Sequence, residues 1–308
     1  MENIISPVPR EILEQELTSE KLIRKTNSGN NQIYVVDYHN APNVTREIGR
    51  LREITFRDAG GGTGLDCDLD EYDTKENPFK QLIVWNPADR EIVGGYRYLH
   101  CKELKPESDN LVHTPTFHLF KYSDKFLREY IPFTIELGRS FVQPNYQPTN
   151  NIRKGMYSLD NIWDGLGAII LMNPDARYFF GKITMYPDYN AEARDHILYF
   201  MHKYFGDRDG LVTPYVSLEI TTPEKELEAA FPYNVYDKDY KNLIQKVRSL
   251  SETIPPLVNA YMNLSSTMKF FGTSLNKEFG EVEESGILIT IADIYGMKIE
   301  RHINIPPQ

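Results

Sequence analysis

Cysteine is almost absent: Cys67 and Cys101 are the two thiols in a chain of 308 residues. Two thiols cannot staple a small secreted domain, and these two fit no metal-ligand spacing, so a reducing cytoplasmic setting without a bound metal is expected. Long apolar runs are missing too. Stretches such as Ala168–Met172 and Ile287–Ile289 fall far short of the roughly 20 residues that cross a bilayer. The N-terminal 25 residues hold no apolar core of an export signal. Any membrane contact is therefore expected to be peripheral, at the inner face. Basic charge is in deficit: 34 Lys+Arg against 44 Asp+Glu leave a net charge of −10. That excludes broad nucleic-acid binding, which needs a basic face, but leaves room for a local basic patch and an anionic partner. No internal repeat and no Ser/Gly/Pro-rich linker divides the chain.

What is present suffices for a sizeable core: 41% hydrophobic and 12% aromatic residues, which excludes a wholly disordered chain. Residues 1–30 read as a polar N-terminal arm with one short helix at Glu11–Arg24. Gln32–Asp37 reads as a strand. Asn43–Arg57 carries Val44, Ile48, Leu51, Ile54 and Thr55 at helical spacing, ending at Asp58-Ala-Gly-Gly-Gly62. Leu82–Trp85, Asn86–Arg90 and Glu91–Tyr98 form a hairpin signature. Phe133–Val142 alternates as a strand and is followed by a Pro- and Asn-rich loop. A helix capped by Ser158 or Asp160 is expected to Met172, then a strand over Arg177–Met185 and a helix over Asn190–Phe205 closed by Gly206. The charged, mainly helical stretch near 221–253 reads as an insertion. Ile254-Pro-Pro-Leu257 is expected to open a helix through Phe271. Gly286–Ala292 is a late strand and Met297–Ile303 one more. Strands separated by helices argue for one α/β domain over residues 31–308.

Several chemical motifs fall away on inspection. In the acidic run Asp66–Asp73, Asp66, Asp68 and Asp70 have calcium-loop spacing, but Glu71 occupies the glycine position and Asn77 the closing carboxylate position. The run reads instead as a solvated loop or as an ion-pair network with Arg52, Arg57 and Arg97. The glycines of Asp58–Gly64 follow a helix rather than a strand and lack a nucleotide-binding frame, so a flexible loop is expected. His196 and His202, six apart, do not share a helix face, and no G-x-S-x-G elbow exists. Glu136 and Arg139 stand out as charges inside an apolar strand, where charge is costly unless it is paired or used. Strict alternation puts them on opposite faces unless a bulge intervenes, and Gly138 between them favours a bulge.

Three stretches, in this order, resemble one family. Glu136-Leu-Gly-Arg-Ser-Phe-Val-Gln-Pro-Asn-Tyr146 is similar to E-[LI]-G-R-S-x-V-x-P-x-Y. Asn161-Ile-Trp-Asp-Gly165 is similar to a Trp-x-Gly helix start, and Ile254–Leu264 to P-P-L-L-x-x-Y-x-x-L. Together they resemble the acyl-carrier-protein-dependent N-acyltransferases of the GNAT fold, in the ornithine-lipid and glycine-lipid synthase branch often labelled hemolysin-like. Acyl-homoserine-lactone synthases are more distant cousins. The resemblance covers about residues 33–293. It implies a central, mixed, mostly antiparallel sheet, splayed at its middle strands and flanked by helices. The loop Gln147–Gly155 is longer and poorer in arginine than the family pattern, and Ser265–Thr273 departs from its small-residue and Cys-Gly stretch.

The resemblance implies a reaction and its residues. Arg52 and Phe56 match R-x-x-x-F on the first core helix, Asp70 and Asp73 match D-x-x-D, and Arg97 ends the hairpin strand. Glu136 and Arg139 match E-x-x-R. Glu136 is then the base that takes a proton from an amino-acid amine, a contribution of about 10²–10⁴-fold, with Arg139 positioning it. Main-chain N–H groups near Phe141, Val142 and Gln143 face the oxyanion. Arg52, Arg97 or Arg139 takes the acceptor carboxylate, Asp70 and Asp73 orient those arginines, and Trp163 adds to the substrate site. The donor is acyl-carrier protein or acyl-CoA, with no permanently bound cofactor. Its phosphopantetheine phosphate lies by Gln143, Arg153, Lys154 and Ser158, at the start of the 158–172 helix. The expected product is an N-acyl amino acid of the glycine or ornithine type, toward an amino-acid lipid. Alternatives are an acyl-homoserine-lactone-type signal synthase and a non-catalytic acyl-carrier or lipid-binding protein. A pore-forming hemolysin lacks the amphipathic stem it would need.

Overall fold

The computed structural model describes residues 1–104 and 113–303. Along the chain run α1 (Arg10–Glu16), β1 (Leu22–Lys25), β2 (Gln32–Val36), α2 (Pro42–Asp58), α3 (Glu71–Thr74), β3 (Lys80–Asn86) and β4 (Glu91–His100). There follow β5 (Phe120–Tyr122), β6 (Thr134–Val142), α4 (Ile152–Gly155), α5 (Ser158–Met172), β7 (Tyr178–Met185) and α6 (Ala191–Phe205). The chain ends with β8 (Val212–Pro214), α7 (Glu224–Ala230), α8 (Tyr236–Ser249), α9 (Pro256–Met262), β9 (Lys269–Asn276), β10 (Val282–Thr290) and α10 (Gly296–His302). Two compact units share it: residues 1–105, 133–176 and 295–308 form the first, and 106–132 with 177–294 the second.

In the first unit the strands are ordered β1-β2-β3-β4-β6, and every ladder is antiparallel. Alternation along β4 gives each face its own helix. Gly94 faces α5, where an added Cβ would stand 3.1 Å from Ile162, and a Cβ at Gly165 of α5 would stand 2.5 Å from Leu82. Arg97 and Leu99 face the other way, toward α2 and α3. The N-terminal arm contributes a strand: α1 stops at Glu16, and Leu22-Ile-Arg-Lys25 pairs with β2 instead of prolonging a helix to Arg24. Thr18 and Ser19 lie between them, and such hydroxyl side chains compete with helical hydrogen bonding. The expected last strand is the helix α10, which docks on α5. His302 Nδ1 lies 2.8 Å from Asp164 Oδ1, and Arg24 donates to the His302 carbonyl at 2.7 Å.

In the second unit β7, β10 and β9 form an antiparallel set in that order, and β5 pairs with β8. Phe126, Phe180 and Phe271 meet on one side at ring separations of 5.1–6.2 Å. Phe200, Tyr236 and Tyr240 join α6 to α8. Each such pair adds about 0.5–1.5 kcal/mol beyond area burial. The helical stretch α7–α8 is anchored through fully buried Asp239, which accepts from Tyr204 Oη at 2.5 Å and from the N–H groups of Tyr233 and Asn234 at 3.1 Å. The helix expected to reach Phe271 ends at Met262. Phe270, Phe271 and Thr273 lie in β9 instead, because aromatic and β-branched side chains suit the ladder with β10. The two sets of antiparallel strands with their flanking helices are the mostly antiparallel α/β arrangement expected. Among the described residues no helix is long and apolar enough to cross a membrane.

Candidate active site

The charged residues of the first unit converge because α2, the loop after it and the hairpin all turn toward one sheet face. On α2, Arg52 and Phe56 are one helical turn apart and both buried. The following glycine loop wraps the buried Glu53 carboxylate. Thr63 donates its N–H at 3.0 Å and its hydroxyl at 2.8 Å, Gly64 donates its N–H at 2.8 Å, and Arg57 closes the ring at 2.7 Å. This loop is tied down rather than loose, and Gly60 and Gly62 take the left-handed backbone it needs (φ +89° and +95°). The chain then crosses back over α2, the Asp68 N–H donating to the Gly49 carbonyl at 3.1 Å. At α3, Asp70 and Asp73 form a reciprocal capping box.

Three carboxylates thereby meet three guanidiniums. Arg52 Nε lies 3.1 Å from Asp68, and its Nη2 lies 2.7 Å from Asp73 and also donates to the Asp68 carbonyl. Arg97 Nη1 bridges Asp70 at 2.7 Å and Asp73 at 3.0 Å. Arg139 Nε reaches Asp68 at 3.0 Å, with Asp70 at 3.9 Å from its Nη2. Gln81 adds an amide donor to Asp73 at 2.8 Å. Burial alone would raise the Asp73 carboxyl, but Arg52 and Arg97 outweigh it and hold Asp73 well below the usual carboxylate range. Burial likewise opposes the charge on Arg52, and Asp68 and Asp73 more than restore it. Such a cluster tolerates desolvation because every charge in it is compensated. The network reading of the acidic run holds for Arg52 and Arg97, whereas Arg57 turns to Glu53.

Arg139 reaches this cluster through a bulge in β6. Arg97 pairs with Gly138 and Gly95 with Phe141, so two steps on β4 oppose three on β6. Arg139 sits in the extra position with φ +50°, a left-handed conformation rare for a side-chain-bearing residue. Without the bulge its guanidinium would leave from the opposite face. Glu136 pairs across β4 with Leu99 and shares the Arg97 face. Its side chain is buried, 1% exposed. Burial, then the charges of Glu71 and Glu136, push the Tyr72 phenol up, and burial with Glu136 does the same to the Cys101 thiol.

Of the residues expected at the phosphate end, Gln143 and Lys154 have partners within the protein. The N–H of Gln143 donates to the Val93 carbonyl at 3.0 Å and its side chain to the Ile92 carbonyl, so this N–H is not an open oxyanion donor. Phe141 and Val142 pair with Gly95 and Gly94. Lys154 is held 2.8 Å from Asp89, which also accepts from Tyr146 Oη at 2.5 Å. Arg153 is exposed on α4. Ser158 is the first residue of α5 rather than its cap, and Tyr157 holds the cap position without a side-chain bond. Trp163 lies 6.4 Å from the ring of His302, on the α10 side of α5. The residue that sequence reasoning underweighted is Asp68: fully buried, it joins Arg52 to Arg139. Its signal was its place in the acidic run, but only the bulge shows that Arg139 reaches it.

A family model described as an acetyltransferase (GNAT) domain matches residues 51–154, the stretch that holds this whole cluster. A glycine N(alpha)-acyltransferase of Phocaeicola vulgatus is 54% identical over 303 residues, covering 98% of this chain and 93% of that protein. One of Bacteroides thetaiotaomicron is 55% identical over 303 residues, covering 98% and 90%. Among solved structures, a CoA-dependent acyl-homoserine lactone synthase, BjaI, aligns over 90% of this chain and 92% of that one, with a TM-score of 0.41 and 11% identity. On the strength of the two full-length relatives, this chain is an N-acyltransferase and belongs, with its GNAT domain, to the family of the glycine N(alpha)-acyltransferases.

Proposed function

We propose that this enzyme moves a fatty acyl group from a phosphopantetheine thioester to the amine of glycine, as a step toward an amino-acid lipid. One observation carries the amino-acid part. Side-chain exposure in the cluster is 1% for Arg52, 2% for Arg97 and 17% for Arg139. Arg52 and Arg97 are enclosed by their aspartates, so Arg139, the more exposed guanidinium, is the one we assign to the acceptor carboxylate. The choice of glycine follows the activity for which both relatives are named.

At neutral pH an aliphatic amine is mostly ammonium and cannot attack. Glu136 is the assigned proton acceptor, directly or through water. The freed nitrogen forms a bond to the thioester carbonyl carbon, and the main-chain N–H of Val142, which ladder alternation turns away from β4, receives the oxyanion. The nitrogen of the tetrahedral intermediate gives its second proton to solvent, the C–S bond breaks, and the proton held by Glu136 passes to the departing thiolate. We assign the donor to an acyl-carrier protein. The short helix α4 and the Met156 that follows it expose Ile152 and Met156 beside Arg153, a cationic and apolar surface suited to an acidic carrier.

The test is direct: supply glycine or ornithine with a dodecanoyl group on carrier protein or on CoA, and identify products by mass. N-dodecanoylglycine formed faster from the carrier supports the whole reading. A faster reaction from CoA retires the carrier, and an acylated ornithine without acylglycine retires the acceptor.

A further inference from the structure

A cavity of about 390 Å³ lies wholly within the second unit, between α6, the 207–220 loop and the edge strand β9. Its wall is built from Leu198, Tyr199, Leu218, Ile220, Phe270 and Phe271. The β9 edge bends there at Gly272, whose φ of +89° and 3.2 Å approach of a would-be Cβ to Pro214 leave little room for a side chain. Beside the cavity the chain exposes Tyr215 (52%), Val216 (73%) and Ile220 (41%), three large apolar side chains within six residues. Such concentration on an exposed loop marks a binding surface more often than chance. The acidic lining residue is neutralised: Asp207 accepts from the Leu211 N–H at 2.5 Å and lies 3.5 Å from Lys269 Nζ. Exposed Thr213 and Ser217 offer hydroxyls to a neutral head group.

We propose that this cavity is a binding site for one unbranched fatty acyl chain. The size fits: at about 30 Å³ for each water-sized group, the space holds on the order of a dozen, the length of a medium fatty chain. The apolar wall and neutralised carboxylate suit a chain with an uncharged head and disfavour an anion or a sugar. The choice of an acyl chain rests on the acyl-transfer activity, since the thioester donor carries one. The binding itself belongs to residues outside the charged cluster.

Calorimetric titration with 1-dodecanol, below its solubility limit, tests the site on the full-length protein. The parent chain is expected to take up one equivalent saturably. Leu218→Asp, which places a charge in the wall, and Ser217→Trp, which fills the opening from an exposed position, should each weaken that uptake at least about tenfold. Thermal unfolding of both variants, read alongside, shows that they are folded. Absence of saturable uptake by the parent, or uptake unchanged in both folded variants, overturns the proposal. Turnover with glycine is measured separately: if the parent binds dodecanol but acylates no glycine, the proposed reaction fails and the site stands.

Discussion

At the scale of single residues, the first unit holds its charges by mutual compensation, and removing one leaves another stranded. Asp68 has no water to fall back on. Asp68→Asn should lower stability by about 3–5 kcal/mol, read from urea unfolding, because Arg52 and Arg139 lose their shared counter-charge. A midpoint close to the parent's would mean the two guanidiniums find other partners. Arg139→Ala should raise the KM for glycine at least about tenfold while changing the stability less than Asp68→Asn does, since Arg139 is the least buried of the three. An unchanged KM would move the acceptor carboxylate elsewhere. Glu136→Gln should fold and lose about 10²–10⁴-fold in turnover, and full activity across the pH range would remove it as the base. These charges were legible in the sequence because a strand such as Phe133–Val142 has no reason to carry Glu and Arg unless they are paired or used. Which aspartate meets which arginine was not legible, because it depends on a backbone detour and on the path of the loop after α2.

At the scale of elements, helix α5 acts as a seat on two sides, and glycine is what allows it. A Cβ on Gly167 would stand 2.1 Å from the His302 carbonyl. Gly167→Ala should therefore push α10 away at a cost of about 1–3 kcal/mol. Faster amide exchange confined to residues 296–302 is the expected signature, and unaltered protection there would contradict it. The same docking explains where element assignment from the sequence went astray. Met297–Ile303 is too short for periodicity to separate helix from strand, and its place against Asp164 and Arg24 decides the outcome. Leu22–Lys25 became a strand because β2 offered a partner edge, which no local propensity encodes. The longer elements, α2, α5, α6 and the β3–β4 hairpin, were readable because each carries enough turns or alternations, and enough terminal glycine, to fix its own period.

At the scale of the whole molecule, acid should act through the enclosed carboxylates. Asp73 is held below its ordinary pKa in the folded chain. Asp195 is also lowered: its burial works against this and is outweighed by hydrogen bonds from Thr222 and Arg194. A lowered folded pKa adds stability that is complete above the unfolded value of about 3.9 and fades as pH falls toward the folded value. Thermal midpoints should thus stay level from pH 7 to about 5 and drop below about pH 4, with a shallower drop in Asp73→Asn. A midpoint that climbs on acidification would reverse the sign. Neither unit is one continuous segment: the first takes three stretches of chain and the second two. Composition and periodicity gave no hint of that division, since no linker marks its boundaries.

The extra residue in β6 sets the parity of the strand. Upstream and downstream of Arg139, side chains five positions apart, such as Glu136 and Phe141, look out from the same surface. Deleting Ser140 would restore an even count: Glu136 and Phe141 would keep their common surface, and Arg139 would turn to the opposite one. Homologous chains that are one residue shorter at this point would therefore have to bring Asp68 and Asp70 a cation from a different position, and alignments that slide a gap through it would pair residues pointing in opposite directions.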